Sequence, residues 1–168
     1  MNATPDPASL PYRPNVGAAL FDRRGKVLVA RRADLAAVAG AAGWQLPQGG
    51  IDADEEPRRA VLRELAEEIG TDRAVILGEH PEWLAYDLPE HLAGRALGGR
   101  YRGQRQRWFA LRFLGADADI RLDRHRHPEF DAWRWAELAD LPALAVAFKR
   151  PIYEILARSF ADYARPAP

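Results

Sequence analysis

The chain has 168 residues, 48% hydrophobic and 29% charged, with 24 basic against 24 acidic side chains and no cysteine. That size and balance fit one compact domain, and the missing thiols exclude disulfides and thiolate metal sites, so a cytoplasmic location is the simplest expectation. A net charge of zero supplies no general basic surface, so any nucleic-acid contact must come from a local cluster, and no apolar stretch approaches the ~20 residues that cross a bilayer.

Residues 1–12 are rich in Pro, Ala and Ser and carry no secretory pattern; they read as a poorly ordered arm ahead of a single domain over 13–165. The apolar runs 15–21 and 26–32 flank Asp22-Arg23-Arg24-Gly25, a hairpin signal. Residues 33–43 are small and featureless and are expected to form a surface loop. The segment 44–48 reads as a short strand that runs into Gly49-Gly50.

A helix follows. Asp54 is the expected cap, Glu55 and Glu56 suit the positive end of the helix dipole, and Pro57 is tolerated in the first turn. Val61, Leu62, Leu65 and Ile69 recur at helical spacing, and Gly70 supplies a stop. Strands are expected near 73–79, 83–88, 106–115, 118–122 and 129–135, with a polar loop at 90–105. Pro151 is expected to open a C-terminal helix with an apolar stripe of Ile152, Ile155, Leu156 and Phe160. The pattern is a mixed α/β (α+β) domain with helices packed on a sheet. Trp108, Trp133 and Trp135 are read as core. His80, His91, His125 and His127 lack metal-ligand spacing, and the last two are expected to be solvated.

The helix carries the chemistry. At about 100° per residue, Glu67 and Glu68 fall roughly 60° and 40° to either side of Glu64, so three carboxylates share one face. Val61, Leu65 and Ile69 occupy a neighbouring arc that can bury. Clustered carboxylates repel one another, and a divalent cation removes that penalty. All-oxygen ligands select hard ions such as Mg²⁺ or Mn²⁺. Such ions neutralise polyphosphate charge and activate water. Arg63, four residues before Glu67 and eight after Glu55, is placed to orient acids rather than to touch substrate. Taken alone, the acidic triplet is more simply a solvated helix face.

The wider spacing reverses that judgement. Gly49, five residues, Glu55, seven residues, then Arg63-Glu64-Leu65-Ala66-Glu67-Glu68-Ile69-Gly70 resembles the Nudix box; Thr71 departs from it by standing where the box has a bulky aliphatic. The resemblance implies the Nudix fold, a mixed sheet between helices, and the structural box residues Gly49, Glu55, Arg63 and Gly70. It extends over roughly 12–164 through Tyr12-Arg13-Pro14-Asn15-Val16-Gly17, Trp44-Gln45-Leu46-Pro47-Gln48, Gly103 to Phe109, Pro128-Glu129-Phe130, Trp133-Arg134-Trp135 and Phe148-Lys149-Arg150. As a set these are similar to bacterial RNA pyrophosphohydrolases and plant-type diadenosine polyphosphate hydrolases. Two departures bear on the substrate approach: the longer 33–43 loop and the extended arm.

Carried over by position, the resemblance implies metal ligation by Glu64, Glu67 and Glu68, with Glu129 a further acidic ligand or a base and the Gly49 carbonyl a backbone ligand. The implied catalytic set is those four acids with Arg63. Arg13, Arg32 and Lys149 are implied at the phosphates or first nucleotides, and Val146 and Phe148 with Arg32 at a base; core packing is the competing reading of Phe148. The implied substrate is an RNA 5′ end or a dinucleoside polyphosphate, with Mg²⁺ as cofactor and neither membrane nor DNA as partner. A nucleotide-sensing domain without hydrolysis is the competing class, and it usually loses box acids that this chain keeps. The absence of a GxxxxGK[ST] loop excludes a P-loop NTPase.

Overall fold

The structure is a computed structural model that describes residues 5–34 and 43–168. The expected loop over 33–43 and the first four residues of the arm therefore lie largely outside the described residues. Its strands are β1 (Tyr12–Phe21), β2 (Val27–Arg32), β3 (Trp44–Gln45), β4 (Gln48–Gly50), β5 (Ala74–Glu79), β6 (Leu84–Asp87), β7 (Gly103–Phe113) and β8 (Phe130–Ala136). The helices are α1 (Pro57–Ile69), α2 (Leu141–Leu144) and α3 (Arg150–Ser159).

The strands form one mixed sheet in the order β3-β2-β1-β7-β5, with β4 beside β1, β6 beside β7 and β8 beside β2. The spine is parallel: β1 and β7 pair from Tyr12↔Gly103 to Phe21↔Arg112. The turn at Asp22 to Gly25 forms as the sequence signals, with the Asp22 carboxylate accepting from the Arg24 and Lys26 N–H groups. The two strands it joins pair only at Phe21↔Val27. Further along β1, that edge is taken by β4, with Val16 opposite Gly49.

Side chains alternate across a strand, and this divides the core. Val16, Ala18 and Leu20 pack with Ala60, Val61, Leu65 and Ile69 of α1 on one face. Ala19 and Phe21 pack with Leu141, Ile152, Tyr153, Leu156 and Phe160 on the other. Full burial of residues such as Leu65 and Ile69 contributes about 1.5–3 kcal/mol each. The sheet is thus sandwiched between helices, as the sequence implies. Trp108 is fully buried, and Trp133 and Trp135 pack against the α1-side core.

Two local expectations are corrected. Residues 118–122 form no strand; Asp117–Asp119 is a 3-10 turn. The Asp119 carboxylate accepts from the Ala116 N–H, and Asp117 accepts from the Trp135 indole, so short polar side chains take over the backbone's bonding there. Asp54 does not cap α1. It has φ +60°, and the cap position is Glu56, with Pro57 supplying a first turn that lacks one donor. At the other end Gly70, at φ 77°, closes the helix in the left-handed conformation.

Candidate active site

The loop before α1 and one face of α1 build the acidic half of the site. Arg63 is its brace. Its Nε and Nη2 donate to the two oxygens of Glu55 at 2.8 and 2.7 Å. Nη1 donates to Glu64 at 2.9 Å and to Glu67 at 3.2 Å, and Nη2 also reaches the Gly50 carbonyl at 2.8 Å. This fork holds the Glu55 carboxyl down to about 2, and the Asp52 N–H adds a further bond to it. The Arg63 guanidinium is in turn held above its ordinary value by Glu55.

Glu68 is different. It is half-buried, and the Gln48 N–H donates to its Oε2 at 3.0 Å. Burial, then the neighbouring Glu129 and Glu64 carboxylates, push its carboxyl well above the usual range. Burial also raises Glu64, against the pull of Arg63. Glu67 is exposed. Glu129 lies on the loop before β8, with Arg32 Nη1 at 3.4 Å from its Oε1.

Glu64, Glu68 and Glu129 line a cavity of about 200 Å³ together with Arg13, Arg32 and the Gly49-Gly50 backbone. The two glycines are required by close approach. A Cβ on Gly49 would lie 2.0 Å from the Glu64 carboxyl carbon, and one on Gly50 would lie 2.3 Å from an Arg13 guanidinium nitrogen. The same three acids, with Glu67, border a second cavity of about 180 Å³ on the side of His125 and His127. Both histidines are exposed, yet they face the acids.

Sequence reasoning missed the floor. Gln106 Nε2 donates to Asn15 and to Gln48 at 2.9 and 3.1 Å. Asn15 donates to Gln104, and Gln104 to the Tyr86 hydroxyl, at 2.7 and 2.6 Å. All five side chains are buried. Tyr153 of α3 accepts from the Leu46 N–H at 2.9 Å and pins the segment that leads into Gly49. A run of alternating amides in β7 is the one signal that points to such a belt.

Of the other expected residues, Lys149, Phe148 and Val146 stand apart from the cavity lining. Lys149 is buried and donates to Gln45 Oε1 at 3.0 Å, and burial with the nearby Arg32 pushes it down to about 8. Gln45 Nε2 has no hydrogen-bond partner among the described residues. Phe148 is half-buried, with its ring 5.6 Å from that of Tyr86. Val146 is half-buried at the start of the 3-10 turn that carries Phe148 and Lys149. Arg32 also pairs with Asp34 at 2.8 Å.

Residues 11–156 match the family model of the NUDIX domain. The chain belongs to the Nudix family. An RNA pyrophosphohydrolase of Acidiphilium cryptum is 68% identical over 157 residues, 94% of each chain. One from Gluconacetobacter diazotrophicus is 62% identical, covering 96% of this chain and 99% of its own. Among solved structures, the E. coli dihydroneopterin triphosphate pyrophosphohydrolase has a TM-score of 0.62 at 19% identity, covering 89% of this chain and 99% of that one; it shares the fold.

Nudix hydrolases generally use a divalent metal ion. As they stand, no three His, Asp or Glu side chains among the described residues converge as a ligand group. Arg63 bridges Glu64 to Glu67, and the Gln48 N–H holds one oxygen of Glu68. The donor chemistry nonetheless fits a hard cation. The acids around the shared wall are all-oxygen ligands, and burial with mutual repulsion raises the carboxyls of Glu64 and Glu68, a cost that positive charge would remove. Among the described residues no helix is long and apolar enough to cross a membrane.

Proposed function

We propose that this Nudix hydrolase cuts phosphoanhydride bonds at the 5′ end of RNA, leaving a 5′-monophosphate and releasing pyrophosphate or phosphate, in the cytoplasm. The observation that carries the reading is one cavity with an acid wall of Glu64, Glu68 and Glu129 facing Arg13 and Arg32. Acids for a cation and guanidiniums for phosphate oxygens are what a polyphosphate requires. The relatives named RNA pyrophosphohydrolase, similar over nearly the whole chain, supply the choice of RNA.

Glu64, Glu67, Glu68 and Glu129, with the Gly49 carbonyl, would hold Mg²⁺ or Mn²⁺. When bound, the ion supplies charge neutralisation on the phosphates and an activated water. The chain's own residues do the rest. Arg13 and Arg32 bind and orient the phosphates, and the more exposed Glu129 is placed to take a proton. Arg63 keeps Glu64 and Glu67 from swinging away, so the acids are positioned before substrate arrives. Lys149, Val146 and Phe148 serve the nucleotides beyond the phosphates, with Phe148 offering a stacking face.

The test is hydrolysis of 5′-triphosphorylated RNA and of diadenosine tetraphosphate in parallel, with Mg²⁺ and with chelator. Metal-dependent conversion of the RNA to 5′-monophosphate ends is the expected result. Cleavage of diadenosine tetraphosphate alone would move the substrate to dinucleoside polyphosphates. Binding without turnover of either would make the domain a nucleotide sensor.

A further inference from the structure

We propose that Leu97 is a substrate-binding residue, held over the cavity so that its side chain packs against the nucleoside that carries the polyphosphate. The inference rests on the nucleoside-polyphosphate reading above and adds to it the residue that touches the nucleoside. Leu97 sits in the connection between β6 and β7. That loop is closed at its base by the Leu88 N–H donating to the Arg102 carbonyl at 2.7 Å. Its interior is folded back on itself: a Cβ on Gly99 would lie 2.8 Å from the Gly94 carbonyl oxygen.

The loop turns through left-handed backbone at Gly94, Gly98 and Gly99, with φ 76°, 68° and 68°. Leu97 joins them at φ 55° and ψ 34°. Glycine adopts this region freely, whereas a leucine Cβ crowds the following carbonyl there. Asp54 is the one other non-glycine residue with positive φ among the described residues, and aspartate tolerates the region far better. Leu97 therefore carries a backbone cost that a glycine would not.

Packing does not explain that cost. Leu97 is only half-buried and joins neither core cluster. It does line the cavity of Glu64, Glu68, Glu129, Arg13 and Arg32, where every other side chain is charged, an amide or a glycine. Among the described residues it is the cavity's one apolar side chain. A phosphate chain offers it nothing, but the face of a base or sugar does. Local strain kept at a binding cavity is the expected signature of a residue placed for its ligand.

Leu97→Gly and Leu97→Asn both relieve the backbone and remove the apolar contact. Equilibrium binding of a nucleoside triphosphate and of inorganic tripolyphosphate, read by calorimetry beside thermal melting, tests the assignment. For both variants the Kd of the nucleoside triphosphate should rise by about three- to tenfold, the size of a partly buried aliphatic contact. KM for triphosphorylated RNA should rise with it. The Kd of tripolyphosphate should not change, and the melting temperature should hold or rise. A fall in melting temperature with unchanged nucleotide binding would make Leu97 a structural residue. An equal loss for both ligands would mean that it only shapes the cavity. Wild-type protein that binds nucleotide selectively but leaves RNA uncut would break the earlier reading and leave this one standing.

Discussion

The acid brace on α1 and the amide floor beneath the cavity hold neighbouring carboxylates by different means. In the brace, one arginine gathers Glu55, Glu64 and Glu67, all within a dozen residues of one another. In the floor, neutral amides from β1, β4 and β7 meet where Gln106 donates to Asn15 and to Gln48. The brace uses charge at short sequence separation and remains partly exposed. The floor uses uncharged groups in the core, where an unpaired charge would be costly. Glu68 stands where the two meet, held by the Gln48 N–H and crowded by other acids. The site thus gathers Glu55, Glu64 and Glu67 with one cation and holds Glu68 through the backbone of a neutral scaffold.

Breaking the brace should produce the larger effect. Arg63→Ala removes the arginine donor from Glu64, from the Gly50 carbonyl and from Glu55, which keeps only its bond from the Asp52 N–H. Stability should fall by roughly 2–4 kcal/mol, discounted for partial exposure. Displaced acids should also lower kcat/KM by about 100-fold. Chemical denaturation and steady-state kinetics on triphosphorylated RNA check both; unchanged values would mean that the arginine is merely solvated.

Breaking the floor should cost less. Gln106→Met keeps the volume but leaves the Asn15 and Gln48 carbonyl oxygens without a donor, which costs about 1–3 kcal/mol. The activity loss should be smaller than that of Arg63→Ala, because the Gln48 N–H that holds Glu68 belongs to the backbone. A rate loss exceeding that of the arginine variant would reverse the ranking of the two supports.

The same contrast explains what the sequence made legible. The box acids share a helix face by spacing alone, and the stripes of α1 and α3 follow from the 3.6-residue period. The floor needs the parallel pairing of β1 with β7, a contact about ninety residues apart that no local pattern declares. The missing strand at 118–122 has another cause: Asp117 and Asp119 look inert in a strand pattern but bond to the Trp135 indole and the Ala116 N–H. The strained backbone of Leu97 has no sequence signal beyond the two glycines after it.

In the proposed function, Glu68 is held half-buried and crowded by other acids for chemistry, at a cost in stability. Its raised carboxyl means that the native state binds more protons than the unfolded chain from the ordinary value of 4.5 upward. Wild-type stability attributable to this group must therefore fall as pH rises from 4.5 towards the raised value. Glu68→Gln keeps the shape and removes that dependence. The decisive measurement is the melting temperature of both proteins across that pH range, in chelator and in Mg²⁺, with kcat/KM on triphosphorylated RNA alongside. In chelator at neutral pH the variant should melt above wild type, Mg²⁺ should stabilise it much less, and it should lose about a thousandfold or more in rate, as expected for a group acting in the transition state. A variant that melts no higher than wild type, responds equally to Mg²⁺ and turns over RNA at near wild-type rate would overturn that role for Glu68.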